Sequence, residues 1–189
     1  MKIINKQDFF FNLNFYKSEI LNGKIFIYPT DTIYGLGCIL SNQNSIQKIF
    51  LMKKRDKNKP LSIIIPNKNW IYRNCNFFEI HKKYIAKLPG KYTLILNLNK
   101  EYLKKHPNSL NSIGVRIPDN WFSKIITELN IEFITTSVNL SNEPNLTNIS
   151  DLNIDNFKYV DYFIDEGVLN NESSSIIDLR GIKEKYIRN

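Results

Sequence analysis

The spacing of apolar positions switches along this chain between a helical and a strand period, and the switches mark out its elements. From residue 5 to 22 apolar side chains fall at Phe9, Phe10, Leu13, Tyr16, Ile20 and Leu21, near the 3.6-residue repeat of a helix, with Gly23 as the C-terminal cap. Residues 24–28 read as a strand rich in β-branched and aromatic side chains; Pro29 removes the next ladder donor, and Gly35 and Gly37 flank a second apolar run. After a loop at 41–44, Ile46, Ile49, Phe50 and Met52 form one face of a helix that cannot cross Pro60. Residues 61–65, bounded by prolines, read as a buried strand. One helix is predicted over 70–87, with Ile71, Phe77, Phe78, Ile80, Tyr84 and Ile85 as core positions. A turn at 88–92 leads to a strand at 93–98, a loop or short helix over 100–112, and a strand at 113–118. Asn120 caps a helix containing Trp121, Phe122, Ile125, Ile126 and Leu129, followed by a strand at 131–134. A short helix at 150–157, a strand at 159–164 and a last strand at 174–179 complete the pattern. Helices alternating with short strands predict one α/β domain spanning 1–189, a twisted open mixed sheet with flanking helices.

Composition changes this picture little, and charge changes it more. With 189 residues and 42% hydrophobic side chains, the chain can bury a core without staples. The N-terminus shows no signal-peptide pattern, and no stretch approaches the roughly 18 apolar residues of a membrane span. Cys38 and Cys75 lack a CxxC spacing and make no ligand pattern with His81 and His106, which points to a reducing compartment and no zinc. His81 reads as structural, because no partner is patterned around it. The formal charge of +8 favours anionic partners such as nucleotides or RNA.

Polar side chains gather where the strands end. Thr30, Asp31 and Thr32 sit between the Pro and the first Gly; Ser62 opens one strand; residues 135–142 hold six hydroxyl or amide side chains in eight positions; Ser173, Ser174 and Ser175 precede the last strand. In open α/β sheets such tips converge at one edge. Residues 53–59 add five cations in seven positions. Locally each feature has a plainer reading: a turn whose hydroxyls bond their own backbone, or a solvated connector. Arg116 is a charge amid strand residues, for which exposure to solvent is the local expectation and contact with a partner the alternative.

Taken in order, YPTDTIYGLGC, MKKRDKNKPLSIII, LPGKYTLIL, IGVRIPD, TTSVNLSNEP and SSIIDL, covering about residues 24–180, resemble the YrdC-type threonylcarbamoyl-AMP synthase family. The resemblance implies a YrdC-like fold and an L-threonylcarbamoyladenylate synthase, a nucleotidyltransferase. Its substrates would be L-threonine, bicarbonate or CO2, and ATP with Mg²⁺; its products, threonylcarbamoyl-AMP and pyrophosphate, would serve tRNA N6-threonylcarbamoyladenosine synthesis. It implies that Thr30, Thr32 and Arg116 bind threonine, and that Lys53, Arg55, Ser137, Asn139, Ser175 and Arg188 bind ATP. No catalytic residue is assigned and no protein metal ligand is expected. A contact with tRNA, hand-over to the threonylcarbamoyl transferase complex and a cytoplasmic location without a membrane also follow. The chain departs from the family at Ser174-Ser175, where Ser-Thr is usual, at Asn142, where Gly is usual, and in the longer spacer between Arg55 and Pro60, which leaves open whether Lys57 or Lys59 shares the phosphate role. With Arg188 matching the arginine at the end of the catalytic domain, the short, single-domain form is expected. The rivals are an RNA-binding YrdC-like module without catalysis and a paralogue handling another carbamoyl adenylate.

Overall fold

Side chains of the central strands are buried on both faces of one mixed sheet, which is why those strands read as continuous apolar runs. In this computed structural model, which describes residues 1–55, 61–106, 110–140 and 143–189, the chain begins with β1 (Lys2–Asn5), α1 (Lys6–Phe11), α2 (Leu13–Leu21), β2 (Phe26–Tyr28), β3 (Gly35–Gly37) and α3 (Gln43–Met52). It continues through β4 (Ser62–Ile64), α4 (Lys68–Asn74), β5 (Cys75–Asn76), α5 (Lys82–Ile85), β6 (Tyr92–Leu98) and α6 (Lys100–Lys105). The remaining elements are β7 (Ser112–Arg116), α7 (Trp121–Leu129), β8 (Phe133–Ser137), β9 (Tyr162–Asp165), β10 (Ser175–Asp178) and β11 (Lys185–Arg188). Across the sheet the order is β1-β9-β2-β3-β8-β4-β7-β6-β10-β11, with β5 added on β6. The pairs β1–β9, β2–β9, β4–β7 and β6–β10 are parallel, and the others along this path are antiparallel. No helix among the described residues is long and apolar enough to cross a membrane.

The two-residue period divides the core. Phe26, Tyr28, Ile64, Phe133 and Ile164 face Phe9, Tyr16 and Ile20 and the α7 residues Phe122, Ile125 and Ile126. Their neighbours Ile25, Ile27, Ile63, Ile65, Ile134 and Phe163 face the other way, toward Ile49, Met52 and Ile71. Strand β3 runs in the middle of this sheet only because it carries glycines. A Cβ at Gly35 would come within 2.7 Å of the Tyr28 ring, and one at Gly37 within 1.8 Å of the Ile134 carbonyl oxygen, so both positions are set by close approach.

Four elements differ from the sequence expectation. The segment at 5–22 is two helices, because Asn5 caps α1 reciprocally with Asp8 (Asp8 N–H to Asn5 Oδ1, 2.8 Å; Asn5 N–H to Asp8 Oδ2, 3.2 Å) and Asn12 leaves helical geometry; Phe10 and Leu21 are exposed as a result. Residues 70–87 do not form one helix: Cys75 and Asn76 pair with Leu98 and Asn97 of β6, and the chain restarts in a 3₁₀ turn at Glu79–His81. Phe78 and Ile80, expected in the core, are 43% and 53% exposed. The stretch at 150–157 is two 3₁₀ turns, Ile149–Asp151 and Ile154–Phe157. The strand at 174–179 is not the last, since β11 follows it, and β1 precedes the first expected helix. Both outermost strands are short edge strands with little burial, so hydrophobic periodicity carries almost no trace of them.

Candidate active site

The polar tips meet in one cavity of ≈ 190 Å³, lined by Thr30 and Thr32 after β2, Ser62 of β4, Thr135, Thr136 and Ser137 of β8, and Ser174 before β10. Three guanidinium groups, those of Arg55, Arg116 and Arg188, also line it, and no acidic residue does among the described residues. Such a concave, cationic, hydroxyl-rich surface selects anions carrying several oxygen acceptors.

Arg116 at the end of β7 is buried, 7% exposed, and does not face solvent as its strand context suggested. What overrides that expectation is a buried acid: Nη2 donates to Asp31 Oδ1 at 2.7 Å and to Thr32 Oγ1 at 3.4 Å. Burial pulls the Arg116 pKa down and the Asp31 carboxylate pushes it back up. The second Asp31 oxygen accepts the Asp119 N–H at 3.1 Å, and Asn120 Nδ2 donates to the Pro29 carbonyl. The loop after β2 is thus fastened to the start of α7. Arg116 Nε is buried and has no hydrogen-bond partner, which leaves one donor of a planar charged fork unsatisfied.

The threonine hydroxyls are partly committed. Thr30 Oγ1 donates to the Ile33 carbonyl at 2.6 Å and accepts the Thr32 N–H at 3.1 Å. Its 2.9 Å contact with Thr32 Oγ1 therefore uses the Thr32 proton. Thr30 is saturated and shapes the turn, whereas Thr32 keeps acceptor capacity toward the cavity.

On the opposite wall the two basic positions of the K-x-R element divide their work. The α3 helix ends at Lys53, Lys54 takes a left-handed backbone (φ 47°), and this reversal sends Lys53 inward and Arg55 to the cavity. Lys53 Nζ donates to the Ser137 carbonyl (2.6 Å), the Asn139 carbonyl (2.9 Å) and Asn139 Oδ1 (2.9 Å). Ser137 Oγ donates to Asn139 Oδ1 at 2.6 Å. Burial, and then the nearby Arg55 charge, lower the Lys53 pKa to about 8. Lys53 and Asn139 thus stand behind the wall and hold it, while Arg55 and Ser137 line it. Lys57, Lys59, Ser141 and Asn142 lie outside the described residues.

Arg188 arrives from β11. Its Nε donates to the Ser174 carbonyl at 2.8 Å and Nη2 to Ser174 Oγ at 3.3 Å; Ser174 Oγ also meets Thr93 Oγ1 at 2.9 Å. Burial, and then the positive charge of Arg116, depress its pKa, so two guanidiniums repel across the cavity and an anion between them would relieve both. Ser175, expected at the nucleotide, does not line the cavity; the pleat turns Ser174 and Ile176 to it instead. His81 is buried, with Nδ1 near the Phe78 N–H (3.4 Å) and Nε2 at the Ile182 carbonyl (3.1 Å), in the structural role expected of it. Sequence reasoning passed over Asp31, Thr93 and Thr135 as individual contributors. Asp31 had a signal, since it lies inside the Pro-Thr loop, but a buried partner for it was not visible.

Comparison with known proteins places the chain. The Sua5/YciO/YrdC family model, described as telomere recombination, matches residues 18–189. A Methanocaldococcus jannaschii protein named as a candidate threonylcarbamoyl-AMP synthase is 39% identical over 184 residues, covering 93% of this chain and 84% of that protein. The Bos taurus threonylcarbamoyl-AMP synthase is 27% identical over 158 residues, covering 83% of this chain and 57% of its own length. Among solved structures, P. abyssi Sua5 complexed with L-threonine superposes with a TM-score of 0.83 at 25% identity, over 100% of this chain and 57% of that one. E. coli YciO shares the fold, with a TM-score of 0.80 at 22% identity over 94% and 88% of the two chains. The chain thus spans a little over half of the bovine and P. abyssi proteins.

Proposed function

The chain belongs to the Sua5/YciO/YrdC family, and from that premise we propose that it is a threonylcarbamoyl-AMP synthase, a nucleotidyltransferase that joins L-threonine, bicarbonate and ATP and releases pyrophosphate. The observation that carries the reading is the buried guanidinium of Arg116, charged, held on one side by Asp31 and unsatisfied at Nε. With Nη2 held by Asp31 and Thr32, the N–H groups of Nε and Nη1 are the charge-assisted donors offered to a carboxylate. Threonine bound there places its amino group toward Thr32, whose oxygen retains acceptor capacity, while Arg55 and Arg188 meet the polyphosphate of ATP. Mg²⁺ enters with the nucleotide. The backbone of Ser137 and Asn139, held by Lys53, forms the wall against which the nucleotide lies.

In the first step the threonine amine, its ammonium proton lost to solvent, forms a bond to the bicarbonate carbon and a C–O bond breaks to release water. In the second a carbamate oxygen attacks the α-phosphorus and the bond to the β-phosphate oxygen breaks, releasing pyrophosphate. Both steps gather negative charge in one cavity. The three arginines lower that repulsion, and fixed donors around the cavity supply orientation without reorganising. A general base on the protein is not required once the reactants are aligned. The product, a mixed anhydride, serves tRNA threonylcarbamoylation in the cytoplasm, with tRNA and the transferase complex as the receiving partners. Pyrophosphate release tests the reading: it is expected only when threonine and bicarbonate are both present. Equal release with threonine omitted, or with another amino acid in its place, would overturn it.

A further inference from the structure

Asp31 stands against the carboxylate-binding face that the proposed function requires, and it is itself a carboxylate. Two opposed effects follow. As an anion next to a bound carboxylate it repels the substrate; as the partner of Arg116 it fixes where the guanidinium points. The geometry points to the second effect as dominant. Both side chains of the pair are nearly sealed from solvent, 9% and 8% exposed for Arg116 and Asp31. Asp31 Oδ1 takes one Nη2 proton at 2.7 Å, while Oδ2 is anchored on the Asp119 N–H, so the acid cannot follow the arginine if it swings. Because Nη2 is tied at Asp31 and Thr32, the guanidinium plane is set, and the donors left over are those of Nη1 and of Nε, which is buried and without a partner.

We infer that Asp31 is a positioning residue for amino-acid binding: it holds the Arg116 fork open toward the cavity, and this orientation outweighs its own repulsion of the substrate carboxylate. The inference rests on the threonine reading above and goes beyond it in assigning a role to an acid that stands behind the cationic lining of the cavity. It also gives the pair a sign. Removing the negative charge should weaken the binding of a negatively charged group.

Calorimetric titration of the whole chain with L-threonine, with L-threoninol, which lacks the carboxylate, and with ATP tests this. For Asp31→Asn the threonine Kd is expected to rise roughly tenfold, the scale of one charge-assisted hydrogen bond. The threoninol and ATP values should stay within about twofold, a split that general loosening of the fold would not produce. Asp31→Glu, which restores charge at a longer reach, should recover part of the loss, and it carries the test if the Asn variant does not fold. Threonine binding that is unchanged or tighter in Asp31→Asn, or an equal loss for threoninol, overturns the inference. Arg116→Lys separates the two levels. If it weakens threonine while Asp31→Asn does not, the positioning role alone falls; if it leaves threonine binding intact, the carboxylate site falls with it.

Discussion

Replacing Arg116 by lysine keeps a positive charge beside Asp31 but removes the planar fork. The native guanidinium gives its two Nη2 protons to Asp31 at 2.7 Å and Thr32 at 3.4 Å, leaving the N–H groups of Nε and Nη1 for a ligand. A lysine ammonium is a point donor with three protons: with one on Asp31 and one on Thr32 it presents a single N–H to the cavity, so one charge-assisted hydrogen bond to the substrate is lost. Such a bond contributes about 1.5–3 kcal/mol, which is roughly a 10- to 150-fold rise in the threonine Kd. ATP makes its proposed contacts at Arg55 and Arg188, so its Kd should move by less than about twofold. Because the buried ion pair survives as Lys–Asp, the fold should lose little; for a chain of this size each kcal/mol corresponds to about 2–4 °C in Tm. Calorimetric titration with each substrate, beside a thermal melt, makes the comparison. A folded Arg116→Lys protein with parental threonine affinity would remove Arg116 from the site and leave Nε without an explanation.

Two further outcomes follow from the packing and the charges. Gly37→Ala places a methyl 1.8 Å from the Ile134 carbonyl oxygen, forcing β3 from β8, and should destabilise the protein by about 1–3 kcal/mol or more in chemical denaturation; a change below about 0.5 kcal/mol would mean that the strands separate without cost. Lys53, whose pKa falls from 10.5 to about 8 on folding, binds fewer protons in the native state than in the unfolded one between those values. The sign is therefore that stability rises with pH across that window, by up to about 3 kcal/mol; comparing denaturation of the parent and Lys53→Met from pH 7.5 to 10.5 isolates the contribution, and parallel curves would refute it.

Much of the fold was legible because its central strands are apolar on both faces and bounded by Pro and Gly. The runs at 24–28, 61–65 and 93–98 became β2, β4 and β6 with boundaries shifted by at most two residues. Convergence of the strand ends was legible for the same reason: polar tips on apolar strands have nowhere else to go. Edge elements were not. Strand β1 buries only Ile4 and β11 buries nothing, so no periodicity marks them, and the break at Cys75 is imposed by pairing with a strand more than twenty residues away. At the site, the family resemblance singled out Arg55, Arg116 and Arg188, but tertiary packing decided what each does. Asp31 keeps Arg116 inside where a strand arginine alone would turn out, Lys53 spends its ammonium on carbonyls behind the wall, and the pleat exchanges Ser175 for Ser174 at the cavity.

The position of Arg188 ties the site to the rim of the sheet. Strand β11 is exposed along its whole length and is held to the rest of the chain by β10, by the Ile182 carbonyl at His81 and by Glu184 at the Tyr84 hydroxyl. An outer strand of this kind opens at a small fraction of the free energy needed to unfold the core. Every excursion of β11 takes a guanidinium out of the cavity, and every anion gripped by that guanidinium holds the strand down by the same free energy, RT ln(1 + [L]/Kd). Occupancy of the anion site and closure of the sheet edge are therefore one equilibrium seen from two ends, and amide exchange along β11 reports directly on whether the arginines have company.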